Sequence, residues 1–148
     1  MHYLSNHDLT WINATLLGKS VPFNYEALES AMAAQYSYGD STLVQEQAGN
    51  LLGSFVKSPP FAAGNRRTAF VALLTYLAAN GYELTASADD TSALVNDVFE
   101  RRIDSDSAIA KCVGKSAGAP STASLRSVVT SILNSNSSAI SSLTPGDE

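Results

Sequence analysis

Histidine and cysteine are nearly missing from this chain of 148 residues: His2 and His7 lie within the first seven positions, and Cys112 is the lone thiol. One cysteine excludes an internal disulfide, and two histidines with one cysteine fall short of the four ligands of a structural zinc site. Positive charge is scarce too. Nine Lys and Arg against 14 Asp and Glu give a formal net charge of -5, so no overall positive field draws the chain to nucleic acid or anionic lipid. No stretch approaches the roughly 18 uninterrupted apolar residues of a membrane span. The opening MHYLSNHDLTWINATLLG carries polar residues where a secretory leader needs an apolar run. These absences predict a cytoplasmic protein without a nucleic-acid or membrane partner. They also leave few side chains for acid–base or nucleophilic chemistry.

What is present is apolar surface: 45% of the residues are hydrophobic, enough at this length for one packed core. The spacing of that surface is helical almost throughout. Ser5 caps an expected helix over about 6–17 that carries Leu9, Ile12, Leu16 and Leu17 and stops at Gly18. Asn24 opens a short helix bearing Leu28, Ala31 and Met32, which ends near Gln35 before the turn material YSYGDS. A third helix runs from Ser41 with Leu51, Leu52 and Phe55 inward, and Gly49 and Gly53 permit a close neighbour. Ser58-Pro59-Pro60 ends it. The next helix, from Asn65 through AFVALLTYLAAN to Gly81, is apolar on nearly every side and therefore belongs at the centre.

Beyond a short extended GYEL segment, Ser87 with Asp90 has the spacing of a capping box for a helix bearing Ala93, Leu94, Val98 and Phe99. A short helix with Ala108, Ile109 and Val113 follows. GKSAGAPSTAS then reads as a linker, and the last 15 residues, rich in Ser and Asn, read as a disordered tail. Between them Leu125, Val128, Val129, Ile132 and Leu133 form an apolar stripe on a helix of about 121–134, which needs a covering surface. The expected architecture is all-α: one helical domain over 1–113, then 114–148 with the linker, the extra amphipathic helix and a flexible tail.

The segment with the most chemistry is Pro59-Pro60-Phe61-Ala62-Ala63-Gly64-Asn65-Arg66-Arg67-Thr68-Ala69, a loop that runs straight into the central helix. The first amides of a helix have no intrahelical partners and lie at the positive end of its dipole, so this junction suits an anion. Gly64 lets backbone approach a bound group, and Arg66 and Arg67 supply charge-assisted donors suited to phosphate. The same residues also fit a plain helix start in which one arginine pairs with a surface carboxylate. Elsewhere Asp89, Asp90, Asp104 and Asp106 fall at expected helix starts, where carboxylates favour the dipole rather than a metal. Glu100-Arg101-Arg102 reads as a solvated helix end, Trp11 as core, Cys112 as a small buried hydrophobe, and His2 and His7 as solvated terminal residues.

This loop resembles the signature of the Fic/Doc (Fido) family, His-x-Phe-x-Asp/Glu-Gly/Ala-Asn-x-Arg. Phe61, Gly64, Asn65 and Arg67 match it, and Arg66-Arg67-Thr68-Ala69 is similar to the Lys-Arg-Thr-Ala of the Doc branch. LSNHDLTWIN, ALESAM, the helix ending FVKS and AANGYEL also sit where Doc-like toxins have counterparts, so the resemblance covers roughly residues 1–113. It implies a Fido-like helical fold, ATP or another nucleotide held through Gly64, Asn65, Arg66 and Arg67, and Phe61 as the anchor of the loop. It further implies a toxin–antitoxin setting, with an antitoxin and a target protein as partners. Family members transfer AMP, or in the Doc branch the terminal phosphate, to a protein hydroxyl.

Two roles in that chemistry lack their residues. Pro59 stands at the general-base position, and Ala63 at the position of the acid that holds magnesium. The resemblance thus implies a phosphate-binding protein with impaired catalysis, or a pseudoenzyme. The alternative is a working phosphotransferase or AMP-transferase toxin that acts on a translation factor or another protein. The helix at 121–134 is expected either to fold back into the groove that takes an antitoxin helix or to form a contact between two copies of the chain.

Overall fold

The computed structural model describes residues 3–36, 44–114 and 123–147. His2, most of YSYGDS, the expected helix start at Ser41 and most of the linker after Gly114 lie outside them. Within the described residues the order is α1 (Asn6–Leu17), α2 (Tyr25–Ala33), α3 (Val44–Lys57), α4 (Asn65–Ala79), β1 (Glu83–Leu84), α5 (Ala88–Phe99), α6 (Ser105–Cys112), β2 (Val113–Gly114), α7 (Leu125–Ser135) and α8 (Ser137–Ser142). The fold is all-α, and no described helix is long and apolar enough to cross a membrane.

Helix α4 is the axis. Thr68 through Leu77 are all buried, and α1, α3, α5 and α7 pack around it. A helix without a polar face has no stable place at a surface, so the expected centre is the observed one. Its polar side chains find partners inside: Thr75 Oγ1 donates to the Val71 carbonyl at 2.7 Å, and the Tyr76 hydroxyl to Gln47 Oε1 at 3.1 Å. Burial holds the Tyr76 phenol well above its ordinary pKa, which keeps it a neutral donor.

Capping chemistry sets the starts of the surrounding helices. Ser5 and Asp8 form a reciprocal capping box on α1, Asn24 Oδ1 accepts from the Ala27 amide at 2.9 Å, and Ser87 Oγ accepts from the Asp90 amide at 3.0 Å. Asp104 caps α6 through the Ser107 amide at 2.8 Å. Helix α6 lies so close to α3 that a Cβ at Gly49 would run into the Asp106 carboxylate, so the small residues of α3 do admit a near neighbour.

Three details depart from the sequence expectations. Val113 ends α6 and pairs, as β2, with Leu84 of β1 in an antiparallel register, because the α6 turn closes at Cys112. Val95, not Ala93, faces inward on α5, where Val95 and Val98 are buried. The third is the tail. Its Ser- and Asn-rich composition predicts disorder, yet residues 137–142 form α8, and Ala139 and Leu143 are completely enclosed. Helix α8 packs along α5 and α7 along α4, with Val128 and Val129 buried. A few well-placed apolar residues outweigh an otherwise polar composition. The apolar stripe of α7 is therefore covered by its own chain, and 123–147 shares the core of the first 113 residues rather than following it.

Candidate functional site

The loop before α4 is pinned from three sides. Phe61 is buried, its ring 6.3 Å from Phe23 and 6.5 Å from Phe55. The segment after α1 lies alongside as a short antiparallel bridge, with the Asn24 amide donating to the Pro60 carbonyl at 2.7 Å and the Ala62 amide to the Pro22 carbonyl at 2.9 Å. From below, Asn13 Nδ2 donates to the Ala63 carbonyl at 3.0 Å and to Thr68 Oγ1 at 3.1 Å. Asn13 was not among the sequence candidates. Its signal was present: a polar residue four positions after Leu9, on the apolar stripe of α1, needs an internal partner.

Gly64 sits at φ +78° as the residue preceding α4. A Cβ there would meet Leu17 Cδ2 at 3.0 Å and Asn13 Nδ2 at 3.2 Å, so the left-handed backbone and the closeness of α1 both demand glycine. The crowded side of Gly64 faces α1, whereas its amide is directed toward the tail.

The four residues expected to bind phosphate divide into different tasks. The Asn65 side chain closes the loop on itself: Oδ1 accepts from the Phe61 amide at 3.0 Å, and Nδ2 donates to the Phe61 carbonyl at 2.7 Å. The Arg66 guanidinium turns to α5, where it donates to Asn96 Oδ1 at 3.0 Å and to Glu100 Oε1 at 2.8 Å and lies 5.4 Å over the Phe99 ring. The pairing holds the Glu100 carboxyl below its ordinary pKa. Arg66 thus makes the surface ion pair that a plain helix start would give, and its backbone amide remains for the anion site.

Four donors bind Asp147: the Gly64 amide its main-chain carbonyl, and the Arg66 and Arg67 amides with Nε of Arg67 its carboxylate. The Gly64 amide donates to the Asp147 carbonyl at 2.8 Å. The Arg66 amide reaches Asp147 Oδ1 at 2.6 Å, and the Arg67 amide and Nε reach Oδ2 at 3.1 and 2.9 Å. The Asp147 side chain is only 2% exposed. Two amides at a helix start and a guanidinium around two oxygens of one anion is the arrangement that recognises phosphate. Its occupant here is a carboxylate 80 residues further along the chain, a partner invisible to any local reading of the sequence.

Beside this point lies a pocket of about 160 Å³, lined by Pro59, Ala62, Ala63, Phe99, Gly146 and Asp147 among others. Pro59 offers no proton acceptor. The residues do not fit a magnesium site: Ala63 presents a methyl group, and the carboxylate that lines the pocket, Asp147, has both oxygens engaged by N–H donors. Among the described residues no three His, Cys, Asp or Glu side chains come together as metal ligands. His7 is exposed on the first turn of α1 and away from the pocket lining. Cys112 is enclosed, and burial pushes its thiol up to about 11, far from a reactive thiolate. Asp104 is a helix cap, and Trp11 packs against the core beneath the Arg126 guanidinium of α7, 4.7 Å above its ring.

Toxin Doc of Mycolicibacterium smegmatis is 32% identical over 124 residues, which span 79% of this chain and 95% of that protein. The chain belongs to the Doc toxin family. No protein-family model matches it, and no solved structure does. In this chain Pro59 and Ala63 lie between α3 and the donors that hold Asp147.

Proposed function

We propose that this Doc-family protein binds a phosphate-bearing ligand, ATP or another nucleotide, at the start of α4, and that it transfers phosphate or AMP poorly or not at all. The binding half rests on one observation: the amides of Arg66 and Arg67 and Nε of Arg67 converge on an anion. Phosphate carries more charge than a carboxylate and has three strong acceptor oxygens, so it suits the same donors better. The catalytic half rests on Pro59 and Ala63. Removing a general base costs a transfer reaction about 10²- to 10⁴-fold, and the carboxylate in the pocket lining, Asp147, has both oxygens engaged by N–H donors.

In this reading the protein acts within a toxin–antitoxin pair as a ligand- and partner-binding member, with an antitoxin as its cognate partner. Titration calorimetry with ATP, ADP and AMP, each with and without magnesium, tests it. Binding at millimolar nucleotide that does not depend on magnesium is expected. No heat and no competition from any of the three would refute the binding half. Growth of a bacterial host that expresses the chain tests the catalytic half: growth equal to that of an Arg67→Ala variant is expected, and arrest by the unaltered chain alone would favour a working toxin.

A further inference from the structure

Glycines aside, Arg101 is the one described residue with a left-handed backbone, at φ +60°. It closes α5. The Arg101 amide donates to the Val98 carbonyl at 3.1 Å and the Arg102 amide to the Asp97 carbonyl at 2.9 Å, the paired bonds of a Schellman turn, whose left-handed place usually holds glycine. An arginine there keeps backbone strain that glycine would release. Its side chain is exposed and makes no ion pair with any described residue. A cation at a helix end favours the dipole, but Arg102 already supplies one, exposed beside Arg101 and held by Asp97 at 3.0 Å. The strain therefore directs attention to what the Arg101 side chain lines.

Both arginines line a hollow of about 500 Å³ between α3 and the turn that joins α5 to α6. It shares no residue with the pocket at the start of α4. Val56, Val98 and Ile103 give it apolar walls. The carboxylate in its lining, Asp104, is engaged in capping α6: Oδ1 accepts from the Ser107 amide at 2.8 Å and Oδ2 from the Ser107 hydroxyl at 2.9 Å. Across Gly53 and Ser105 the hollow runs on into a second one of about 420 Å³, with Lys57 and Asp106 in its lining.

Two guanidiniums beside an apolar surface suit carboxylates that flank an apolar side chain, and an open trough that continues along α3 suits a length of extended chain. We infer that this groove docks a partner protein through a segment in which Asp or Glu brackets Leu or Phe. The carboxylates take Arg101 and Arg102, and the apolar side chain rests on Val56, Val98 and Ile103. A chain with a formal net charge of -5 has no overall attraction for such a segment, so its recognition falls to this local pair. The groove is independent of the phosphate reading above.

The test is fluorescence anisotropy of the full chain with a fluorescein-labelled peptide, Ser-Glu-Asp-Leu-Phe-Glu-Asp-Ser. One control peptide replaces Leu-Phe by Ser-Ser, and the other replaces every acid by Lys. The first peptide should bind at least about fivefold tighter than either control. Arg101→Gly is the deciding variant: its urea midpoint should equal or exceed that of the parent, because glycine releases the strained turn. Its affinity for the first peptide should nevertheless fall at least about fivefold. Arg101→Lys, which keeps the charge and loses the fork, should lie between. No binding of the first peptide at millimolar chain overturns the groove, and so does equal binding of all three peptides. Unchanged affinity in Arg101→Gly makes Arg101 a structural residue and overturns it as well. Tighter binding of the Lys peptide would transfer the docking to Asp104 and Asp106. Self-association of the unaltered chain in sedimentation, abolished in Arg101→Gly, would give the groove to a second copy and overturn the partner segment.

Discussion

Gly64 carries two constraints at one position, a left-handed backbone and a side-chain-free approach to Leu17 and Asn13. Gly64→Ala should destabilise the fold by about 1–3 kcal/mol through strain alone, with more from displacement of α1, and a denaturant midpoint measures it. An unchanged midpoint would mean that the loop before α4 adapts freely. At the same scale, Arg66 and Glu100 give a pH signature with a defined sign. The folded-state pKa of Glu100 lies below the ordinary 4.5. Its pairing therefore stabilises above that value and fades as the pH falls through the lowered pKa. Glu100→Gln should lose this part of the acid response and otherwise unfold as the parent does. Parallel stability–pH curves for the two proteins below pH 4.5 would deny the pair any role.

Among the elements, α8 carries the most unexpected consequence. A six-residue helix of Ser, Ala and Ile has too little intrinsic propensity to stand alone; it exists because Ala139 and Leu143 are enclosed against α5. Leu143→Ala should thus cost about 2–5 kcal/mol, the range for emptying a core leucine site, measured by urea unfolding. A cost near zero would return the tail to the disorder that its composition suggests. The other elements were far more legible. The all-round apolar sequence of α4 named its own position, and Ser5, Asn24, Ser87 and Asp104 announced helix starts, because capping is decided within four residues of chain.

At the level of the whole molecule, what could not be read locally is what closes the site. The loop donors were recognisable from Gly64-Asn65-Arg66-Arg67, yet their division was not: Asn65 braces Phe61, the Arg66 side chain pairs with α5, and the amides of Arg66 and Arg67 with Arg67 Nε hold the anion. Asn13 and Asp147 reach the loop across 50 and more residues, and only the packing of α1 and α8 brings them there. The same packing makes 123–147 part of the domain instead of an appendage, and places one of the tail's acidic side chains at the point where the fold concentrates positive potential.

On the proposed reading, this Doc-family loop recognises phosphate while Pro59 and Ala63 deprive it of the base and the acid that transfer needs. It is tested most directly by label transfer from ATP, radioactive at either the α or the γ phosphate, onto proteins of a bacterial translation extract. The unaltered chain and the Pro59→His/Ala63→Asp double variant are compared. Background labelling by the unaltered chain is expected, with a rise of at least about 10²-fold on restoring the base and the acid together. Transfer by the unaltered chain at the rate of the double variant would contradict it.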